Sequence, residues 1–481
     1  MRRVFPILLS LLFILSGCQK TPERAVVASK ADGAFQAAVQ STAAPAAPPT
    51  PETQITAPPE VYTDSFSNAA GDICFDLALT APAVTGPVPV VQIRPMEFTG
   101  QQAQAMARAL FGEGPIYEYS EQMTRAQIEQ AILTDRQFIA DWEGMLDYYG
   151  GDEQTAQAVK EDFEGRIAAL EDAYQAAADS VEPVPCAWEF HSEDYYMSPE
   201  RAAAFADEGH RYIMATAALD GLPWLFSVCN REGEDYRVHN AAAYPDERVV
   251  SQQDGAAGPG MDAEAMKVWA LETAEKMGLG SWAPVSDQAG QATGFGGGEE
   301  EDWYRVILTR TYDGAQAAPF ADRPEAAEQY APSYGPESMR FEFYRGHPAA
   351  FWYSAATQTV ETVNADVGLL PFADALVRAE EQMKMASMDR MPWEGDAVRV
   401  TADRAELGLV CTPMKDNATD FYLVPAYLFY GAATACDAAG APLTVQWTDS
   451  QGGTVSEPAQ ATVLLAAVNA VDGTVMAARA E

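Results

Sequence analysis

Apolar positions along this chain switch repeatedly between two periods, and the switch predicts its elements. Alternation over Ile73–Leu79 and again over Val88–Ile93 predicts two strands. A helix is expected from Thr99, whose hydroxyl together with Gln102 fits a capping box, to about Gly112. The longest period-3.6 pattern starts at a second capping box, Thr124 and Gln127. It carries Ile128, Ile132, Ile139, Trp142, Leu146 and Tyr149 at three-four spacing, broken only by Asp135. Gly150-Gly151 ends that arm, and Asp152 opens a matching one with Ala156, Val159, Phe163, Leu170, Tyr174 and Ala177. Two amphipathic stripes of about 39 Å each, joined by a tight turn, predict an antiparallel helical hairpin over residues 124–180 with Trp142 and Phe163 in its seam.

Beyond it the pattern reads as strands grouped behind helices. Asp220-Gly221 turns a β-hairpin made of Tyr212–Leu219 and Leu222–Asn230. Helices opened by Asp262 and by Pro371 each precede several strands. The second run contains Phe421–Tyr430 and a final segment, Ala461–Met476, bent at Asp472-Gly473. Short matches between Ser354–Val360 and Asn469–Val475 suggest that the two units are related. The expected fold class is therefore α+β, repeated helix-plus-antiparallel-sheet modules with an inserted helical hairpin. The expected divisions are residues 61–255, 256–366 and 367–481.

The first 60 residues follow other rules. Arg2 and Arg3 precede an apolar run, Val4–Leu15, which closes on Leu-Ser-Gly-Cys at Cys18. That order is a secretory signal over residues 1–17. A Cys in this place resembles the lipobox of bacterial lipoproteins, and the resemblance implies cleavage before Cys18 and a diacylglyceryl thioether on its thiol. The run is shorter than the ~20 residues that span a bilayer. Residues 18–60 are rich in Ala, Thr, Gln and Pro and poor in large apolar side chains, the composition of a disordered tether. Its coil-like reach is about 35 Å. The expected address is the outer face of the cell membrane, lipid-anchored.

The formal charge of −40 argues against nucleic acid as a partner, because a polyanion repels phosphate backbones. Chemistry is hard to find. The histidines at 191, 210, 239 and 347 stand far apart without zinc spacing, and neither Gly-x-Ser-x-Gly nor Ser-x-x-Lys occurs. Gly294–Gly298 leads into Glu299–Asp302 and a strand, so it reads as a solvated loop; a phosphate cradle would open a helix. The expected site list has a lipid-attachment Cys18 and no catalytic, metal or cofactor residues. Cys74, Cys186, Cys229, Cys411 and Cys436 read as thiols, with a Cys411–Cys436 bridge between neighbouring strands as the alternative. Tyr117–Glu121, Glu193–Tyr196 and Phe351-Trp352-Tyr353 mix aromatic and acidic groups. They suit either core packing or stacking on sugars.

The closing Val468-Asn-Ala-Val-Asp-Gly-Thr-Val475 hairpin and the Leu423-Val-Pro-Ala-Tyr427 strand before it resemble the PepSY-type and YycI-type extracytoplasmic modules of Gram-positive bacteria. With its lipobox, the chain resembles uncharacterised lipoproteins of Clostridia. The resemblance covers mainly Pro371–Glu481 and implies a binding or regulatory module without catalytic residues. The expected function is a membrane-anchored, non-catalytic binding protein, held by membrane lipid and directed to a surface protein or wall polymer. A wall-glycan binder or carboxylate-dependent wall hydrolase, and then a transporter's solute-binding lipoprotein, are the alternatives.

Overall fold

A computed structural model describes Val39 and residues 61–476, apart from 143, 145, 147–152, 197–209, 233–236, 247–258, 294–299, 322–333, 389–394, 415–416, 418 and 449–453. The signal, Cys18, most of the tether, the Gly150-Gly151 turn and the Gly294–Gly298 loop lie outside the described residues.

Strands β1 (Val61–Ser67), β2 (Ile73–Thr80) and β3 (Val90–Pro95) lead to helix α1 (Gly100–Phe111). The Thr99 box forms as its spacing predicts: Thr99 Oγ1 accepts from Gln102 N while Gln102 Oε1 accepts from Thr99 N. After β4 (Tyr117–Glu118) come α2 (Arg125–Ala140) and α3 (Glu153–Ala176). Then follow β5 (His210–Leu219), β6 (Leu222–Glu232), β7 (Arg237–Pro245) and α4 (Ala263–Lys276). Next are β8 (Ser281–Thr293), β9 (Glu300–Tyr312), β10 (Ala315–Ala321), β11 (Ser338–Tyr344), β12 (His347–Ser354) and β13 (Thr357–Asn364). Helix α5 (Phe372–Met383) precedes β14 (Ala397–Pro413), β15 (Phe421–Cys436), β16 (Thr444–Thr448), β17 (Thr454–Pro458), β18 (Gln460–Asn469) and β19 (Val475–Met476).

These elements correct the expected α+β architecture of repeated helix-plus-sheet modules with an inserted helical hairpin. The protein is predominantly β, 46% strand against 26% helix, and seventeen strands join one large mixed sheet. The physical reason is edge pairing across distant sequence. Strand β2 lies parallel to β14, Ile73 opposite Val398, and β3 pairs with both β13 and β15. Backbone donors on an edge must be satisfied, and strands from residues 61–95 meet that need on strands from 357–436.

One part of the sheet is antiparallel throughout, in the order β4-β5-β6-β7-β12-β11-β9-β8. Helices α1 and α4 lie on its inner face over Phe226, Val306, Leu308, Phe341, Phe343 and Phe351. In the other part β14 and β15 form the longest ladder, and α5 packs Phe372, Leu376 and Met383 onto Phe75, Val400 and Phe429. Strand β10 links the parts, antiparallel to β9 and parallel to β14.

Helices α2 and α3 pair with each other as an appendage to this sheet. The two chain segments at their root are joined by a bond from Glu118 N to Val184 O (2.7 Å). Phe163 packs on Phe138, ring centroids 4.5 Å apart, whereas Trp142 sits beneath the Lys160 ammonium. Asp135, which interrupts the apolar stripe in sequence, is buried and bonded to Arg166 at 2.8 Å.

Val39 is the residue of 18–60 that the structure describes. Val39 is 3% exposed, set among Val90, Phe320, Val367 and Val410, and its carbonyl accepts from Asn364 Nδ2 at 2.6 Å.

Candidate functional site

Alternation along β12 divides the aromatic run between two faces. Phe351 and Tyr353 are buried on the helix-covered side, so Trp352 projects to the other. The registers then place one row across five neighbouring strand pairs: Ile307, Arg340, Trp352, Ala242, Ser227 and Met214. Each of these residues is half-exposed. The Arg340 guanidinium lies over the Trp352 ring, 3.9 Å from its centroid, a cation–π stack.

Glu342, two residues along β11 on the same face, is held by Arg305 through Nε at 2.8 Å and Nη2 at 2.7 Å. Arg305 in turn reaches over Trp303 at 5.2 Å. Arg340 Nε stands 3.6 Å from the same Glu342 oxygen, beyond hydrogen-bond reach, and is buried without an acceptor among the described residues. Burial draws the Arg340 guanidinium below its ordinary pKa, with Glu342 opposing and Arg305 adding to the shift. The face thus carries two guanidinium groups, one carboxylate and two indoles, beside a strip of small side chains.

The second cluster is closed. Glu337 is buried where the two parts of the sheet meet and accepts from Tyr353 Oη (2.5 Å), Thr357 Oγ1 (2.5 Å) and Thr357 N (3.1 Å). Arg310 Nη1 lies 3.5 Å from Glu337 and donates to Thr357 O at 2.9 Å; Tyr312 Oη lies 3.4 Å from the carboxylate. Burial first, and then the Glu337 charge, push the Tyr353 and Tyr312 hydroxyls well above their ordinary pKa. The adjoining cleft, lined by Ile93, Tyr312, Ala317, Cys411 and Leu423, has room for about one water. With its oxygens committed to these donors, Glu337 is a structural carboxylate.

The histidines stay dispersed. His191 stacks on Tyr195, His210 lies beside Tyr212, buried His239 shares a hydrogen bond with Asn230, and His347 is 3.9 Å from Asp220. The Tyr117–Glu121 and Glu193–Tyr196 stretches do meet, with Tyr119 and Tyr196 ring centroids 6.4 Å apart and the Tyr196 hydroxyl bridging Tyr212 O and Met214 N. No disulfide joins the cysteines among the described residues. Cys411 faces Leu423 and Cys436 faces Ala397, at opposite ends of the β14–β15 ladder. A Cys411–Cys436 bridge is therefore geometrically excluded. Arg305, Arg340 and Glu342 are the residues that sequence reasoning missed. The signal for Arg340 and Glu342 was the alternation Met339-Arg-Phe-Glu-Phe343, and for Arg305 the alternation Tyr304-Arg-Val306, each of which puts charge on one face and core on the other.

The chain matches no family model and no curated protein. Among solved structures it is similar to an uncharacterised protein from Eubacterium rectale ATCC 33656, at 9% identity and a TM-score of 0.43, over 87% of this chain and 94% of that one.

Proposed function

We propose that this protein is a lipid-anchored, extracytoplasmic binding protein without catalytic chemistry, held by Cys18 at the outer face of the cell membrane. The address rests on Leu-Ser-Gly-Cys closing a basic-then-apolar leader, followed by Pro- and Ala-rich chain. The binding role rests chiefly on the half-exposed sheet face around Trp352, which gathers charged, aromatic and small side chains over several strands. A non-catalytic role is supported by how the gathered carboxylates are used. Glu337 is bonded to Tyr353 and Thr357, Asp420 to Arg94 and Glu342 to Arg305, and general acid–base work needs a group within reach of a substrate proton.

The anchor is tested by membrane fractionation. Cys18→Ser moves the protein from the membrane to the soluble fraction, while Ser at Cys74 or Cys186 leaves it in place. Unchanged detergent partitioning of Cys18→Ser defeats the anchored reading. The binding role is tested by incubating purified protein with isolated cell envelopes: uptake saturates, and substitution at Arg340 reduces it.

A further inference from the structure

The Trp352 face has a shape and a charge that select among ligands. Side chains stand roughly perpendicular to a sheet, and the stack with Arg340 of β11 turns one ring face of Trp352 toward that strand and the opposite face toward β7. Arg340 occupies one face of Trp352. The other looks toward Ala242 and then Ser227, and the next large side chain in the row is Met214. Three strand spacings separate Trp352 from Met214, about 14 Å, and among the described residues the row between them holds an alanine and a serine. The result is a shallow trough with an aromatic wall.

Its chemistry departs from that of a protein interface in part: Trp, Met and Arg are enriched there as here, but Glu, Ser and Ala are depleted there, and this face carries Glu342, Ser227 and Ala242. Here Arg340, Glu342 and Arg305 adjoin the aromatic wall. Glu342 is engaged by Arg305, so Arg340 is held mainly by stacking, with a side chain 40% exposed and a charge only partly compensated. On a chain of net charge −40 this is a local positive site. A planar guanidinium fixed in orientation matches a carboxylate through two parallel N–H donors. The indole's negative face matches the C–H-rich face of a pyranose ring, by the same quadrupole attraction that draws aromatic edges and cations to it.

We propose that this trough binds an acidic polysaccharide, with one sugar ring against the open face of Trp352 and the carboxylate of an adjoining sugar, carried past the solvent edge of the indole, on the Arg340 guanidinium. The inference rests on the binding role proposed above and gives that role its ligand class. Gln288, opposite Arg305, and Ser227 add neutral hydrogen-bonding groups for hydroxyls on either side.

Calorimetry on the full chain in detergent micelles tests it, with polygalacturonic acid oligosaccharides as the acidic probe and dextran oligosaccharides as the neutral one. The acidic probe binds saturably, dextran binds at least tenfold more weakly, and Arg340→Gln and Trp352→Leu each weaken acidic binding at least tenfold. Arg340→Lys, which keeps charge but loses the planar stack, gives an intermediate loss and guards against misfolding of the other variants. Equal binding of both probes, no binding of either, or full affinity in Arg340→Gln overturns the proposal. Envelope uptake separates this failure from that of the wider reading. Saturable uptake without affinity for polygalacturonate removes only the acidic glycan, and loss of uptake after protease treatment of the envelopes identifies a protein ligand instead. Absence of uptake removes both.

Discussion

Glu337 and Glu342 sit five residues apart in sequence, and the protein uses them in opposite ways. Glu337 precedes β11 and is buried between the two parts of the sheet, its oxygens taken by Tyr353 and Thr357 and faced by Arg310. Glu342 lies on the strand itself, turned to the half-exposed face, where Arg305 holds it and Arg340 passes close without bonding it. Strand alternation alone separates the fates of Arg340 and Glu342 from that of Phe341 between them. The comparison teaches that an acidic residue in this chain is informative only with its partners known: one carboxylate locks an internal seam, and the other tunes the charge of a surface.

The sharpest test of that difference is Glu337→Gln. Arg310, with a side chain only 17% exposed, loses its counter-charge, and breaking a buried pair by removing one partner costs about 3–5 kcal/mol. Chemical denaturation is expected to show a loss of that size. A loss below about 1 kcal/mol would place the seam among surface ion pairs and erase the contrast with Glu342.

The next effect is smaller and concerns the tether. Truncating Val39 to Ala removes two buried carbons, worth about 1.5 kcal/mol at ~0.8 kcal/mol each. Denaturation midpoints of the full chain are expected to fall accordingly. An unchanged midpoint would detach Val39 from the Val90, Val367 and Val410 cluster.

A third test acts through pH. Asp420 is held down to about 2, chiefly by the hydrogen bonds from Arg94, with Thr419 and Gln92 assisting and burial opposing. Its unfolded value is about 3.9. Because the folded value is depressed, the stabilisation is complete above about pH 4 and is lost as pH falls toward about 2. Stability measured against pH should fall over that window, and Asp420→Asn should flatten that part of the curve. The bond ties β3 to the start of β15, so the effect reports on pairing between distant parts of the chain.

Local structure was legible where one segment determines it. Thr99 and Thr124 cap their helices as their spacing with Gln102 and Gln127 predicts, and Asp220-Gly221 turns β5 into β6 with both residues at positive φ. What failed was assembly. Nothing in Ile73–Thr80 names β14 as its partner, because edge pairing is chosen by backbone complementarity and burial in the finished sheet. Strands such as β1, with one exposed face after another, carry little periodicity to read, and β10 is a link made of small residues. Asp135 looked like a break in a stripe and is instead a buried partner of Arg166. The candidate site was half visible. Its aromatic residue stood out in Phe351-Trp352-Tyr353, but only the register of β11 on β12 brings Arg340 onto Trp352.

The smallest expected effect completes the contrast between the two carboxylates. Glu342→Gln removes a charge whose partners, Arg305 and Arg340, keep 33% and 40% of their side chains in solvent, so neither is stranded as a buried cation. Exposed and half-exposed pairs contribute about 0–1 kcal/mol, and denaturation should move by no more than that. The face itself becomes more positive by one charge. Its attraction for anionic probes should therefore strengthen, and strengthen most at low ionic strength, where screening is weakest. A loss comparable to that of Glu337→Gln would mean that Glu342 is as structural as its buried neighbour, and the division of labour along this strand would fail.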